Sequence, residues 1–482
     1  MTDTATVPVA MAQMLSARVG ATLVSLGGMA VLARLLAPSD FGVFAVGLAT
    51  FATAKAISEF GLVHDLVRRD ELTSDDLRSA AGLALALAVG LGSLAVAVLV
   101  VTGRVGDGET AGVVGFLAAA LVAEAVAMPY EARRRRSIEF RLLSVLAVAQ
   151  AGVEVAVGVA LALAGLGPAA LAAGVLGSRA VAAVLLVAAC PAGERPWPTR
   201  SGWGRFARFG GGFVTARLVS RLGELAIVGL ISAGLGVRPL GLYNRSGAIH
   251  SIPDRTVFEA INPVILPALT RALRERETPA KVYVDKVDYL AAVCWPAFGV
   301  IIVLAEPMVA VVLGPQWGDA VTPVRILAVG GMVMPFTKMS MKLFIAVDRI
   351  DVHLRVQVAY VVATVVGAAV GSAFSLEAVC VGIVAAQTVQ TIGVWSGVAA
   401  AGGEPVRVPW WTIARGALLA AAAAAGPWAL WTWFSRIGYL EVVAGSVVLS
   451  AVGWSAMLVA TRHRLLGDLR ALRDGRRAAP VG

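Results

Sequence analysis

Three charged residues in one apolar segment have the types and spacing that suit recognition of an anion. Arg217, Arg221 and Glu224 lie at positions i, i+4 and i+7, so a helix places all three on one stripe. Their neighbours are mainly Val, Leu, Ile, Ala and Gly. Because a guanidinium binds phosphate in a bidentate geometry, we predict a site for an anionic pyrophosphate head group. The alternative is an Arg221–Glu224 ion pair that only fixes helix packing.

The next apolar segment combines an imidazole with carboxylates. His250 and Asp254 are four residues apart, and Pro253 breaks the backbone hydrogen bonds of the helix there. The same spacing relates Arg255 to Glu259. A histidine beside a carboxylate can titrate near neutral pH and couple transport to protons. The alternative is that the charges of these i, i+4 pairs only neutralise each other within the helix. The candidates for ion coupling are Glu224, His250, Asp254 and Glu259.

Charges also occur in the first two apolar segments. Arg18 shares a helical stripe with Thr22 and Ser25, and Lys55 lies four residues before Glu59. Charged side chains inside a membrane are costly unless they face a partner or water, so they mark functional sites. The candidate cargo-binding residues are therefore Arg18, Lys55, Glu59, Arg217, Arg221, Glu224, Arg245 and Arg255.

Several other polar features of the apolar segments are interpreted as structural. Glu124, Glu154 and Arg179 are single charges in three separate segments, and we expect each to stabilise packing. Lys338 and Lys342 are predicted to snorkel to the membrane interface. The GxxxG pattern formed by Gly367 and Gly371 predicts a close approach of two helices.

The composition defines the elements that must position these residues. The 482 residues are 58% hydrophobic and 15% charged, with a mean hydropathy of +0.80. Soluble domains are about 45–50% apolar and about 25% charged, so a soluble globular protein is excluded. At about 20 residues per crossing, the length allows about fourteen membrane helices and leaves no room for a soluble catalytic domain. We expect neither an enzyme nor a nucleic-acid-binding protein.

Apolar stretches of membrane length recur along the chain, and such spans must be helical because lipid offers the backbone no hydrogen bonds. We predict spans at 15–33, 41–62, 79–101, 111–130, 142–165, 169–189, 206–233, 240–268, 288–305, 321–345, 355–375, 377–400, 411–434 and 441–461. With cytoplasmic termini, 27 of the 41 Lys and Arg residues lie in the cytoplasmic loops, the tail or the adjoining span ends, and 5 lie in the outer loops or their adjoining span ends. This bias supports both the even count and the orientation.

Cysteine and histidine usage argues against a metal or disulfide site. Cys190, Cys294 and Cys380 are far apart, and no two of the four histidines have a metal-ligand spacing. We therefore predict no metal and no cofactor. Coupling to a proton or sodium gradient is left open.

A short internal repeat divides the chain into two related halves. Phe41-Gly42-Val43-Phe44 and Leu240-Gly241-Leu242-Tyr243 begin equivalent spans 199 positions apart. Duplicated lobes with a central site are typical of transporters. The predicted domains are an N-lobe at 1–205, a C-lobe at 206–402, two further helices at 403–461 and a basic cytoplasmic tail at 462–482.

Several motifs resemble one transporter family. The sequence resembles the Wzx-type polysaccharide and O-antigen flippases of the multidrug/oligosaccharidyl-lipid/polysaccharide (MOP) exporter superfamily, with Glu224 where that family usually has Asp. The motifs that carry the resemblance are GMAVLARLLAPSDFGVFAVGLA (residues 28–49), EFGLVHDLVRRDELTSDDLRSA (59–80), MPYEARRRRSIEFR (128–141), GELAIVGLISAGLGVRPLGLYNRSGAIHSIPDRTVFEAINPVILPALTR (223–271) and LGPQWGDAVTPVRILAV (313–329).

The resemblance implies two six-helix lobes around a central cavity, with two helices appended, that alternate between inward and outward openings. It implies transport of an undecaprenyl-pyrophosphate-linked oligosaccharide, a unit of O-antigen, capsule or exopolysaccharide, across the bacterial cytoplasmic membrane. Expected partners are membrane lipids and the glycan polymerase and glycosyltransferases of the pathway. One alternative is a cation-coupled multidrug exporter, which is disfavoured because the interiors of the spans hold nine basic and six acidic residues. The other is a glycan polymerase or transferase, which is disfavoured by the short outer loops.

Overall fold

The computed structural model describes residues 6–59, 62–68, 72–102, 108–136, 140–191, 194–254, 269–271, 278–402, 410–433, 438–463 and 465–466. Within these ranges, the side chains of Arg18 and Arg217 lie outside the description. All regular secondary structure of the described residues is helical. The predicted all-α class is confirmed.

The helix bounds follow the apolar stretches closely. In chain order the helices are α1 (Thr6–Leu35), α2 (Pro38–Glu59), α3 (Leu62–Arg68), α4 (Ser74–Val101), α5 (Gly108–Arg136), α6 (Phe140–Leu163), α7 (Pro168–Ala188), α8 (Trp203–Gly234), α9 (Val237–Pro253), α10 (Pro279–Val303), α11 (Ala305–Val312), α12 (Val321–Val333), α13 (Ser340–Ala346), α14 (Ile350–Ser372), α15 (Leu376–Gly402), α16 (Trp410–Trp433) and α17 (Tyr439–Ala460).

Eleven helical segments within the described ranges are long and apolar enough to cross a membrane, and Val19–Leu35 adds a shorter apolar one. The polytopic membrane class is therefore confirmed, whereas the count of fourteen spans stays a prediction. The tenth predicted span, 321–345, is not one continuous helix. It breaks between α12 and α13 at a 3-10 turn, Met334–Phe336, because Pro335 has no backbone N–H to continue the ladder.

The chain divides into two compact units, which we call unit 1 (Met1–Gly241) and unit 2 (Leu242–Gly482). In unit 1, α7 packs against α5 and α6, α1 packs against α6, and α2 packs against α8. The close contact of α6 with α7 depends on Gly174, where an added Cβ would lie 2.6 Å from the carbonyl oxygen of Glu154. The predicted lobe boundary at residue 205 stays a prediction.

Unit 2 is built on three helix pairs, α14 with α15, α16 with α17, and α10 with α16. Its core contains the aromatic side chains of Tyr283, Trp295, Phe336 and Trp395. The predicted GxxxG notch is confirmed, since a Cβ on Gly367 of α14 would lie 2.8 Å from the carbonyl oxygen of Gly382 on α15. The small residues let the two backbones touch.

The two segments of the internal repeat contact each other through their glycines. A Cβ on Gly42 would lie 1.8 Å from the carbonyl oxygen of Val237, and a Cβ on Gly241 would lie 1.7 Å from that of Pro38. Val237 is the repeat equivalent of Pro38, so the two contacts are reciprocal. Such pairing of equivalent positions is the pattern of a local two-fold axis.

Candidate functional site

A network of charged side chains joins three helices of unit 1. Nζ of Lys55 on α2 contacts Oε1 of Glu124 on α5 and lies 3.5 Å from Oε1 of Glu59. Nε of Arg179 on α7 lies 3.3 Å from the other carboxylate oxygen of Glu124. Two cations thus face two carboxylates, which is the arrangement that makes charges tolerable inside a membrane. We call these four residues the unit 1 charge network.

The network gives partners to residues that the sequence showed only as single charges. Glu124 and Arg179 were predicted to be structural, and the structure pairs them with Lys55, a predicted cargo-binding residue. Glu154 on α6 lies near Ser178 and Arg179 of α7. A search for stripes within one helix could not find these contacts, because Lys55 and Glu124 are 69 positions apart and Glu124 and Arg179 are 55 positions apart, on different helices.

Arg221 and Glu224 form an ion pair on α8, with 2.5 Å between Nη1 of the arginine and Oε2 of the glutamate. Their side chains are 36% and 59% exposed. The ion-pair arrangement foreseen as the alternative is therefore present. Its exposure still leaves Arg221 accessible to a ligand, and a surface ion pair of this kind holds its partner weakly. Arg217 lies on the same helix, one turn earlier.

The remaining predicted residues lie on or after α9. Arg245 donates to the side-chain oxygen of Asn244 at 2.5 Å from Nη2. His250 stacks on Phe298 of α10, with ring centroids 5.4 Å apart. Arg255 and Glu259 lie outside the described residues.

Asp254 pairs with Lys338, a residue that the sequence analysis expected at the membrane interface. Its Oδ2 lies 2.8 Å from Nζ of Lys338, a residue in the break between α12 and α13. The structure thus pairs Lys338 with a carboxylate of unit 2, whereas its snorkelling to the membrane interface stays a prediction. The pair joins the end of α9 to the break.

These two residues border a polar cavity of about 330 Å³ in unit 2. The cavity also receives side chains from α14 and α15, among them His353, Gln357, Tyr360, Gln387 and Gln390. Sequence reasoning missed these five residues because it followed charges. The signal was there, since His353, Gln357 and Tyr360 lie at i, i+4 and i+7 in an apolar helix.

The described residues contain no group of three or more His, Cys, Asp or Glu side chains placed to hold a metal ion. The three cysteines are buried and free.

The fold is that of a known class of membrane transporters. A solved structure of the lipid II flippase MurJ in an inward closed conformation superposes with a TM-score of 0.71, covering 95% of this chain and 99% of that one, at 8% sequence identity. At that identity the likeness shows the fold alone.

Sequence comparison defines the family. The model of the polysaccharide biosynthesis protein family matches residues 31–322, which is more than half of the chain. The chain belongs to this family. The predicted resemblance to the polysaccharide flippases of the MOP superfamily is thereby confirmed.

Two curated relatives are similar over much of the chain. The succinoglycan biosynthesis transport protein ExoT of Rhizobium meliloti (strain 1021) is 25% identical over 63% of this chain and 62% of its own length. The lipopolysaccharide biosynthesis protein WzxC of Escherichia coli (strain K12) is 22% identical over 76% of this chain and 75% of its own length. The match to the first of these thus spans less than two thirds of that relative.

Proposed function

We propose that this protein is a flippase that moves an undecaprenyl-pyrophosphate-linked oligosaccharide from the inner to the outer leaflet of the bacterial cytoplasmic membrane. The observation that carries the proposal is membership of a polysaccharide biosynthesis family by a chain built of membrane-length helices. The two curated relatives, a succinoglycan biosynthesis transport protein and a lipopolysaccharide biosynthesis protein, support it. The lipid-linked glycan is then cargo, and no bond is made or broken.

The proposed binding site for the pyrophosphate head group of the cargo lies on α8. A pyrophosphate head group needs guanidinium partners, and Arg217 and Arg221 on α8 provide them in this proposal. Arg221 would exchange its exposed partner Glu224 for the phosphate as cargo arrives. Lys55 is already held within the unit 1 charge network, so its expected role becomes positioning of α2 rather than direct binding.

Energy for the movement comes, in this proposal, from a proton or sodium gradient across the membrane. Glu224, His250, Asp254 and Glu259 stay the candidate coupling residues. In this proposal both termini lie in the cytoplasm, on the side where the glycosyltransferases build the cargo. The polymerase that consumes the flipped unit would act on the opposite side.

The test uses the full-length protein in proteoliposomes that contain lipid-linked oligosaccharide extracted from the bacterium that encodes it. An added glycosidase that cannot cross the membrane digests only the outward-facing glycans. Protein-free liposomes should protect about half of the glycan, and we expect the flippase to expose the protected half within minutes once a gradient is imposed. Continued protection, together with gradient-driven efflux of a cationic dye such as ethidium, would contradict the proposal and favour the multidrug exporter.

A further inference from the structure

The polar cavity of unit 2 has a lining that is unusual for the inside of a membrane protein. Three glutamine amides, two imidazoles, a phenol and several hydroxyls border it, together with the Asp254–Lys338 ion pair. Its volume of about 330 Å³ lies at the lower end of the range of about 300–1,000 Å³ that is typical of ligand sites. The space therefore suits a small polar group.

The charges at this cavity compensate each other. Nζ of Lys338 and Oδ2 of Asp254 are 2.8 Å apart, and the glutamine, serine, threonine and tyrosine side chains carry no fixed charge. A phosphate would need uncompensated cations, and a metal cation would need an uncompensated carboxylate, whereas Asp254 is paired with Lys338. The described residues offer no metal-holding group. An uncharged ligand with many hydrogen-bonding groups fits best.

Part of the lining is already organised by contacts within unit 2. Nε2 of Gln390 donates to Oε1 of Gln357 at 3.2 Å, which joins α15 to α14. Oγ of Ser340 lies 3.5 Å from Nδ1 of His353. His250 is held by its stack on Phe298. The polar groups are therefore held in place by the helices before any ligand binds.

Three buried atoms at the cavity are left for a ligand. Among the described residues, Nδ1 of His250, Oδ1 of Asp254 and Oε1 of Gln387 make no hydrogen bond. Buried polar groups normally have partners, since each unmade hydrogen bond costs free energy. Hydroxyl groups serve all three, because a hydroxyl can donate its one hydrogen to either oxygen and can donate to or accept from the imidazole.

We propose that this cavity, lined by His250, Asp254, Gln357, Tyr360, Gln387 and Gln390, binds one uncharged, hydroxyl-rich sugar residue of the transported glycan. The inference rests on the proposed flippase function and deepens it. Recognition of the cargo would then be divided between guanidinium groups for the pyrophosphate and this amide-rich cavity for the sugar. The cavity would also set which glycan the protein accepts.

The test compares glycan binding with head-group binding in the proteoliposome assay. Gln387→Met removes the unpaired amide and keeps the side-chain length. We expect the half-saturating concentration of the lipid-linked oligosaccharide to rise about three- to tenfold, which corresponds to one lost hydrogen bond. Bare undecaprenyl pyrophosphate serves as a competing inhibitor without a sugar, and its inhibition constant should not change.

A second variant displaces the same amide without removing it. A Cβ on Gly330 of α12 would lie 2.5 Å from Oε1 of Gln387, so Gly330→Ala should also raise the half-saturating concentration. The matched control is Thr388→Val, one residue further along α15, whose hydroxyl is exposed and bonds only to Val384 of its own helix among the contacts described. We expect this variant to transport like the unmodified protein.

The possible results separate the sugar site from the flippase proposal. A change confined to the oligosaccharide supports the site. An equal rise in the half-saturating concentration and in the inhibition constant of undecaprenyl pyrophosphate, or no change in either, would overturn it while leaving the flippase function intact. If the unmodified protein moves no lipid-linked oligosaccharide, the flippase proposal fails and the sugar site fails with it.

Discussion

At the scale of residues, the structure shows that charges inside the apolar helices come in compensated sets. Lys55 faces Glu59 and Glu124, and Asp254 faces Lys338. A charge left without its partner in such a place is strongly destabilising, even where the pair itself adds little to stability. Individual substitutions should therefore distinguish the charged residues that stabilise the fold from those that bind the cargo.

The unit 1 charge network should behave as a structural device. Lys55→Met leaves Glu59 and Glu124 without this partner, and we expect a loss of up to about 3 kcal/mol of stability. Lys55→Arg keeps the charge and should retain most of that stability. Thermal unfolding in detergent measures the difference. The control is Arg135→Met, whose exposed i, i+4 pair with Glu131 is worth about 0–1 kcal/mol; equal losses in the two Met variants would show that the network is not structural.

The α8 ion pair should behave differently. Arg221→Ala removes a proposed phosphate partner, and the loss of one charge-assisted hydrogen bond, about 1.5–3 kcal/mol, lowers cargo affinity about ten- to a hundredfold. Arg221→Lys should recover part of the cargo affinity, because lysine keeps the positive charge but lacks the bidentate geometry of a guanidinium. Transport is scored alongside membrane abundance. Recovery of activity in Arg221→Ala/Glu224→Ala would instead assign the pair a packing role.

At the scale of elements, the sequence predicted helices well because apolar length alone specifies them in lipid. Each of the fourteen predicted spans overlaps a helix, although the second half of the eighth span lies outside the described residues. The break at Pro335 was missed, and with it the position of Lys338. Partners such as Glu124 for Lys55 were missed for another reason: neither side chain indicates from the sequence which distant helix will face it.

The reciprocal glycine contact between the repeated segments gives an element-scale prediction. A methyl group at Gly42 or Gly241 would clash with a backbone carbonyl oxygen, and overpacking of this kind typically costs about 1–3 kcal/mol. We expect Gly42→Ala and Gly241→Ala to lower the unfolding temperature in detergent. Gly90→Ala is the matched control, because no atom lies within 4 Å of its added Cβ. If Gly90→Ala lowered the unfolding temperature as much as the other two variants, the reciprocal glycine contact would have no special role in stability.

At the scale of the whole molecule, the distribution of basic residues predicts which side of the membrane each helix end faces. Arg135 at the end of α5 belongs to the predicted cytoplasmic side, and Thr102 at the end of α4 belongs to the outer side. Both residues are exposed in the structure. We expect a membrane-impermeant maleimide added to intact cells to label Thr102→Cys and to spare Arg135→Cys. The reverse labelling pattern would contradict the proposed orientation, because Arg135 would then face the outside of the cell and Thr102 the cytoplasm.

The central claim is that this protein carries a finished lipid-linked glycan across the membrane, and the most direct measurement is the side on which that glycan accumulates when the gene is deleted. Spheroplasts of the deletion strain are treated with a glycosidase that cannot enter them, and the surviving undecaprenyl-pyrophosphate-linked oligosaccharide is quantified by mass spectrometry. We predict accumulation of a complete unit that is protected from the enzyme, together with loss of the surface polysaccharide. Accumulation of a complete but digestible unit would contradict the account, since it would place the missing step after translocation and indicate a polymerase or transferase.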